Sequence, residues 1–319
     1  MKVFVTGGTG LVGSNVIKVA RDEYAAEVIA SMHHRQPSVP VDYAVERLDV
    51  SDVAAVRSVL RKHRPKCVIH CSASVDHRRL ERDHETGWRL MVEATRGMAE
   101  VCGEIGAKLV FISTDWVFDG LTPPYYENTP PCPKNYYGLL KLAGETIVSS
   151  IGIDYAIVRI AAVFGVNWAF PSWVPEERVT GFGTLPNWML RTLQGGGEIV
   201  EWTDHVNVES SPTLATDCAD AMMTICVGQH QGIFHCCGRE SATRVELGWL
   251  VAETFGFDQS RVRAATEAEM DISLLQDEPY LPPRTPLDVS ESERRLGRKM
   301  MGVKEGLREW KCQMGATVA

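Results

Sequence analysis

Three glycines follow the first hydrophobic stretch of this chain and limit what its amino-terminal part can form. A short β-rich run, Lys2 to Thr6, leads into Gly7, Gly10 and Gly13, and a helical pattern follows at once. One glycine permits a tight turn, one lets a ligand approach the backbone, and one lets helix and strand pack closely. The helix amino terminus offers N–H groups and a positive dipole to phosphates. The spacing therefore predicts a turn that binds a pyrophosphate, with further contacts from Thr9, Leu11 and Val12.

Short apolar runs alternate with amphipathic helical patterns through the first half of the chain. The runs indicate buried strands of a parallel sheet with helices on both faces. With the glycine turn, they predict an α/β fold, a doubly wound parallel sheet of the Rossmann type with a smaller C-terminal substrate-binding lobe. After the first, the predicted strands are Glu27–Ser31, Val45–Asp49, Cys67–Cys71, Leu109–Ile112 and Tyr155–Val158.

The α/β rhythm stops after Gly165. Residues 167–187 hold four aromatic residues and three prolines without clean periodicity, which predicts a substrate-facing insertion or cap. The rhythm returns later with a helix near Asp217 to Val227. We therefore expect a dinucleotide-binding domain over residues 1–165, with part of 208–240 returning to it, and a mainly substrate-binding lobe over 166–319.

Charge and cysteine content exclude several classes of protein. The net charge is −8 and the 33 basic residues are scattered, which disfavours a nucleic-acid partner. No stretch approaches the roughly eighteen apolar residues of a membrane helix. The nine cysteines lack C-x-x-C spacing, so we expect buried small hydrophobes in a reducing compartment, with neither disulfides nor a metal site. These features favour a cytoplasmic protein without a membrane partner.

The end of the second predicted strand bears on the choice of cofactor. NAD sites usually place Asp or Glu there to bind the ribose hydroxyls. Here the residues from Ser31 to Arg35 include no carboxylate. Arg35, helped by Ser31 and His33, suits a 2′-phosphate, so NADP(H) is favoured over NAD(H). The alternative is that these are ordinary loop residues.

Tyr137 and Lys141 stand four residues apart, which places them on one face of a helix. That geometry lets the cation favour the phenolate and bring the phenol pKa toward useful acid–base strength. The pair follows Thr114, at the end of the predicted fifth strand, where doubly wound folds bind ligands. Thr114 can bond a substrate carbonyl, Tyr137 can deliver a proton, and a nicotinamide can deliver the hydride.

Together these segments resemble the extended short-chain dehydrogenase/reductases, and within them the dTDP-4-dehydrorhamnose reductase group. The matching pieces are Thr6–Gly13, Ser113–Gly120, Pro133–Glu145, Ser211–Thr213 and Pro283–Arg284. The resemblance implies Thr114, Tyr137 and Lys141 as the catalytic trio. It also implies Asp49 and Val50 beside the adenine, and Cys71, Ser72 and Ala73 lining the cofactor. Candidate substrate contacts are Ser74, Asp115, Val117, Trp173 and Arg284.

The resemblance favours reduction of a small-molecule carbonyl, most specifically the 4-keto group of a nucleotide-activated deoxysugar. Arg159, Arg191 and Arg239 join Arg284 as candidates for a substrate pyrophosphate. Dimers are common in the family, so a homodimer is one expected state.

Three alternatives stay open. A nucleotide-sugar epimerase or dehydratase is disfavoured because Trp116 follows Asp115, where dehydratases usually have an Asp-Glu pair. The stretch Pro123–Glu127 is also similar to the regulatory β subunit of methionine adenosyltransferase, which makes a non-catalytic NADP-binding subunit the second alternative. The third is a reductase of a non-sugar, apolar carbonyl received by the aromatic insertion.

Overall fold

The chain is built on parallel strands joined by helices. The computed structural model describes residues 1–175, 181–204, 206–270 and 278–316. In chain order the strands are β1 (Lys2–Thr6), β2 (Glu27–Met32), β3 (Ala44–Arg47), β4 (Cys67–His70), β5 (Lys108–Thr114), β6 (Tyr155–Ile160), β7 (Val163–Phe164), β8 (Ile199–Trp202), β9 (Glu209–Ser210), β10 (Thr213–Leu214), β11 (Gly232–His235), β12 (Ala242–Thr243) and β13 (Val262–Ala265).

The helices cover the sheet and build the C-terminal part. In chain order they are α1 (Leu11–Asp22), α2 (Val53–His63), α3 (His77–Arg82), α4 (His84–Trp88), α5 (Ala94–Ile105), α6 (Tyr136–Ser150), α7 (Leu185–Gln194), α8 (Ala215–Val227), α9 (Arg244–Phe255), α10 (Ser290–Leu296) and α11 (Val303–Ala316). A π-helical turn at Arg89–Glu93 joins α4 to α5. None of the helices in the described ranges is long and apolar enough to span a membrane.

Seven strands form one parallel sheet in the order β3-β2-β1-β4-β5-β6-β11. The order reverses between β1 and β4, and such a switch point opens a crevice at the carboxyl ends of the strands. Helices α1 and α8 pack together on one face, and α2 and α5 on the other. The predicted doubly wound Rossmann sheet is confirmed. The fifth strand runs two residues further than predicted, so it ends at Thr114.

A separate hydrophobic core lies between α7, α9 and α11. It contains Leu190, Leu247, Val251, Leu307 and Trp310, all of which are buried. Strands β8 and β13 pair beside it. This core accounts for the C-terminal lobe, although the predicted boundary at residue 165 stays a prediction.

The stretch after Gly165 begins by packing on the amino-terminal helix. The Asn15 amide donates to the Val166 carbonyl at 2.8 Å and accepts from the Trp168 indole at 3.0 Å. The Asn167 amide donates to the Thr9 carbonyl at 3.2 Å. The first part of the expected substrate-facing insertion therefore lies against the glycine turn and α1. Residues 176–180 of that insertion lie outside the described residues.

One pair of cysteines corrects the expectation that this chain has no disulfide. Cys67 of β4 and Cys226 of α8 are bonded, with their Cα atoms 6.1 Å apart and a sequence separation of 159. The pairing depends on α8 packing over the sheet, which local spacing does not reveal. Four of the free cysteines are buried as predicted, Cys102, Cys218, Cys236 and Cys237.

Candidate active site

The glycine turn has no room for side chains at two positions. Gly7 has φ +66°, in the left-handed region that favours glycine, and a Cβ on Gly13 would lie 2.2 Å from the Gly7 carbonyl oxygen. The Gly10 N–H donates to that carbonyl at 2.9 Å. Helix α1 begins at Leu11 and its N-cap, Gly10, offers no side-chain acceptor. The first N–H groups of the helix are therefore suited to an anion such as a pyrophosphate.

A hydrogen-bonded link between β1 and β4 shapes the floor next to this turn. The Thr6 hydroxyl lies 2.8 Å from Nδ1 of His70 and accepts the Ser72 N–H at 3.0 Å. Burial, and then the Lys141 ammonium, lower the pKa of His70 to about 3, so its ring is neutral. Sequence reasoning missed this link, although Thr6 and His70 both end strands that the topology makes neighbours. Cys71, which follows, is half-buried.

The residues after β2 form an exposed basic rim. Ser31, next to last in β2, is buried beneath this rim, and its carbonyl accepts the Gly8 N–H at 3.0 Å. The His33 and His34 rings are in contact, with centroids 3.6 Å apart and the ring planes tilted by 37°. The Arg35 guanidinium lies 4.1 Å from the centroid of the Phe170 ring, in the segment that packs on α1.

Asp49 lies next to His33 of this rim, but its carboxylate accepts hydrogen bonds from its own turn. Its carboxylate accepts the Ser51 N–H at 2.9 Å and the Ser51 hydroxyl at 2.8 Å. Nε2 of His33 lies 3.8 Å from it. Val50, beside it, is half-buried and packs on the core under the sheet. Asp49 and Val50 stay predicted adenine neighbours.

Thr114 and Tyr137 meet at the carboxyl edge of β5. Thr114 is the last residue of the strand, and α6 begins at Tyr136. The Asn135 side chain caps this helix by accepting the Gly138 N–H at 2.7 Å. A Cβ on Gly138 would lie 2.2 Å from the Trp116 carbonyl oxygen, so glycine is needed for α6 to approach the end of β5. The cap and the glycine together position Tyr137.

The electrostatics of the trio differ from the expectation. Burial, followed by the Asp115 carboxylate, raises the pKa of Tyr137, while hydrogen bonding from Thr114 acts in the opposite direction. Nζ of Lys141 donates to the Ile112 carbonyl at 2.8 Å, and burial lowers the Lys141 pKa to about 8. The expected lowering of the phenol pKa by the cation is therefore not found, because burial and the Asp115 carboxylate raise that pKa.

Asp115 joins three segments by hydrogen bonds. Its carboxylate accepts from Thr114 at 3.0 Å and from Ser210 at 3.4 Å, and it also accepts from Thr285. Burial raises the pKa of Asp115 to about 6, against these hydrogen bonds. These hydrogen bonds hold the loop at Thr285 next to the end of β5, and Asp115 stays a predicted substrate contact.

The other predicted substrate residues do not converge on one point. Val117 is fully buried in the main core, so its side chain offers no surface to a ligand. Ser74 is half-buried in the turn before α3. Trp173 is 38% exposed, and no hydrogen bond or ring contact within the described ranges joins it to the trio.

The candidate pyrophosphate arginines divide into one buried and three exposed side chains. Arg159 is 1% exposed and pairs with Glu145 at 2.8 Å, so it is closed to a ligand. The exposed side chains bond elsewhere: Arg191 to the Pro175 carbonyl at 2.8 Å, Arg239 to Glu305 at 3.8 Å and Arg284 to Glu209 at 3.5 Å.

Comparison with known proteins assigns the family. A model described as the RmlD substrate binding domain matches residues 1–313. The chain belongs to this family. It is 30% identical over 298 residues, 93% of each chain, to the probable low-salt glycan biosynthesis reductase Agl14 of Haloferax volcanii. It is also 30% identical over 271 residues, 83% of this chain and 77% of the relative, to methionine adenosyltransferase 2 subunit beta of Danio rerio.

Among solved structures, the RmlD-family chain is similar to a dTDP-4-dehydrorhamnose reductase from Bacillus anthracis in complex with NADP. The TM-score is 0.77 at 22% identity, over 98% of both chains. This likeness supports the fold. The predicted membership of the extended short-chain dehydrogenase/reductases is confirmed, and so is the prediction of an oxidoreductase of that type at the level of the family.

Proposed function

We propose that this chain reduces the 4-keto group of a nucleotide-activated deoxysugar, with NADPH as the hydride donor. The observation that carries the proposal is the meeting of Thr114 and Tyr137 at the carboxyl edge of β5, with Lys141 behind them and the glycine turn two strands away. The similarity to a glycan biosynthesis reductase and to a reductase crystallised with NADP supports it.

Each side chain of the trio has a separate role in the proposed carbonyl reduction. On substrate binding, the Thr114 hydroxyl exchanges its hydrogen bond to Asp115 for one to the substrate carbonyl oxygen, and Tyr137 delivers the proton to that oxygen. The raised pKa of Tyr137 keeps the phenol protonated at neutral pH, which suits reduction. When bound, NADPH supplies the hydride that completes the reduction at the carbonyl carbon. Lys141, mostly protonated below its pKa of about 8, holds its ammonium on the Ile112 carbonyl of β5, one turn of α6 from Tyr137.

The residues around the first two strands fit the cofactor. Its pyrophosphate would be held by the N–H groups at the start of α1, which the close packing at Gly7 and Gly13 places at the end of β1. The basic rim of His33 and Arg35 suits a 2′-phosphate, since Asp49 already bonds Ser51. This arrangement favours NADP(H) over NAD(H).

The decisive experiment is turnover of dTDP-4-dehydrorhamnose with NADPH, followed by absorbance. We expect Tyr137→Phe to lower kcat by about 10²- to 10⁴-fold, because the proton donor is lost. NADPH binding, measured by thermal shift, stays as in the wild type. Tyr136→Phe is the matched control, since that hydroxyl bonds the His84 carbonyl at 2.8 Å, away from Thr114. Full turnover by Tyr137→Phe would contradict the proposal.

A second candidate follows from the methionine adenosyltransferase relatives. In that case the chain binds NADP and regulates another enzyme. It predicts a rise in melting temperature with NADPH, no turnover across a broad panel of carbonyl compounds, and an enzyme that co-purifies. The retained catalytic trio favours the reductase.

A further inference from the structure

His77 is a half-buried imidazole that lies against the catalytic tyrosine. It is the first residue of α3. Its ring centroid is 4.6 Å from that of Tyr137, edge-on, and 4.7 Å from that of Trp116. Trp116 and Tyr137 are themselves edge-on at 5.8 Å. These three rings, the ring cluster, come from three separate segments and meet beside the phenol, so sequence reasoning gave no signal for them.

The two ring nitrogens of His77 have different surroundings. Nδ1 is shut off from solvent and finds no hydrogen-bond partner among the described residues. Nε2 is not shut off in this way and makes no hydrogen bond within the same residues. A buried N–H without an acceptor is rarer in proteins than a buried acceptor without a donor. The neutral tautomer therefore carries its hydrogen on Nε2.

The imidazole is neutral at physiological pH. Burial lowers the pKa of His77 to about 4, against the opposing effect of the Asp76 carboxylate. A neutral ring with hydrogen on Nε2 is a donor, and because Nε2 is not shut off it is accessible to a ligand bound beside Tyr137.

We propose that His77 determines specificity by donating a hydrogen bond from Nε2 to a hydroxyl on the carbon next to the substrate carbonyl. This inference rests on the proposed carbonyl reduction. Because Tyr137 must reach the carbonyl oxygen, a ring in contact with Tyr137 lies beside the neighbouring carbon. The substrate class is then a 2-hydroxyketone, such as a 4-keto sugar with its hydroxyl at C3. A plain ketone leaves the donor unpaired.

Two substitutions distinguish the role of the His77 hydrogen-bond donor from that of its ring. His77→Phe keeps a ring against Trp116 and Tyr137 but removes the donor, whereas His77→Gln keeps an N–H donor. The probes are dTDP-4-dehydrorhamnose and its 3-deoxy analogue, each with NADPH. We expect His77→Phe to lower kcat/KM for the hydroxylated substrate about tenfold or more, and to leave the deoxy analogue within about twofold. His77→Gln restores most of the loss.

His84→Phe is the matched control. His84 stacks on Tyr136 with ring centroids 4.0 Å apart, outside the ring cluster, so the ratio between the two substrates stays at the wild-type value. An equal loss on both substrates would show that His77 only packs, and no loss on either would show that it does not bind the substrate. Both results overturn the inference.

Failure of the proposed function is recognised separately. If the wild type reduces neither probe, the reductase proposal fails. Calorimetric binding of the corresponding alcohol pair, dTDP-rhamnose and its 3-deoxy form, then tests His77. The inference stands only if His77→Phe weakens binding of the hydroxylated compound and spares the other.

Discussion

At the scale of a single residue, Arg35 is the proposed determinant of the preference for NADP(H). Its guanidinium lies on the Phe170 ring and is otherwise exposed, so it is held in place while its N–H donors stay accessible. We expect Arg35→Ala to weaken NADPH binding about tenfold or more, because a charge-assisted contact to the 2′-phosphate is lost. NADH binding, measured by the same titration, stays unchanged.

Arg21→Ala is the control for this prediction. Arg21 is also near the second strand, but it pairs with Asp42 at 2.6 Å on the surface. An equal loss of affinity for NADPH and NADH after Arg35→Ala would show that Arg35 does not bind the 2′-phosphate.

Single residues also show where a motif stops being informative. The string from Thr114 to Val117 was a good guide to the family, yet its members have different roles. Thr114 is the last residue of β5 and lies next to Tyr137. Asp115 accepts a hydrogen bond from Thr285, and Val117 is buried in the core. A 3-10 turn over Asp115–Val117 sends these side chains in different directions. His77 and Tyr137 are 60 residues apart, so their contact depends on the tertiary fold.

At the scale of elements, the segment after Gly165 packs on α1, the helix proposed to bind the cofactor. Asn15 is fully buried in α1 and bonds both the Val166 carbonyl and the Trp168 indole. We expect Asn15→Ala to lower the free energy of unfolding by about 1–3 kcal/mol, because buried polar partners lose their hydrogen bonds. Urea denaturation measures this loss, and a thermal-shift titration tests whether NADPH binding weakens with it.

Thr146→Ala provides the comparison. The Thr146 hydroxyl is exposed on α6 and bonds the Leu142 carbonyl of the same helix at 2.9 Å. We expect a change within about 0.5 kcal/mol there. If Asn15→Ala is equally mild, the segment does not support α1.

The strands could be predicted because each is a run of apolar residues that must be buried on both faces. The position of the segment after Gly165 could not, because it is set by side chains about 150 residues earlier in the chain. Its aromatic residues gave no periodicity, and their partners Asn15 and Arg35 are polar. Residues 166–170 therefore pack on the glycine turn and α1, and a substrate-facing role for the rest of the insertion stays a prediction.

At the scale of the whole molecule, the sheet buries histidines that are exposed when the chain unfolds. Burial lowers the pKa of His70 to about 3 and that of His235 to about 4, and His77 has the similarly low value already described. Asp115 has the opposite effect, because burial raises its pKa to about 6. The folded chain thus excludes three protons that the unfolded chain binds, and retains one that the unfolded chain releases.

The sign of the pH dependence follows from these shifts. The histidine contribution is complete above the unfolded histidine pKa of about 6.5 and is lost as the pH falls toward 4. The Asp115 contribution is present below about pH 4 and lost as the pH rises through about 6, so it offsets one of the three protons. We therefore expect the free energy of unfolding to fall with decreasing pH, by about 3 kcal/mol per pH unit near pH 5.

Urea denaturation at pH 7 and at pH 5 measures this slope. His70→Gln removes one buried imidazole, so its slope is lower than that of the wild type by about 1.4 kcal/mol per pH unit. His34→Gln, at an exposed position, keeps the wild-type slope. Equal stability at the two pH values would mean that the buried rings accept protons without unfolding. In that case His77 would become charged in mild acid, and the hydrogen bond proposed for its Nε2 donor would be strengthened at the same pH.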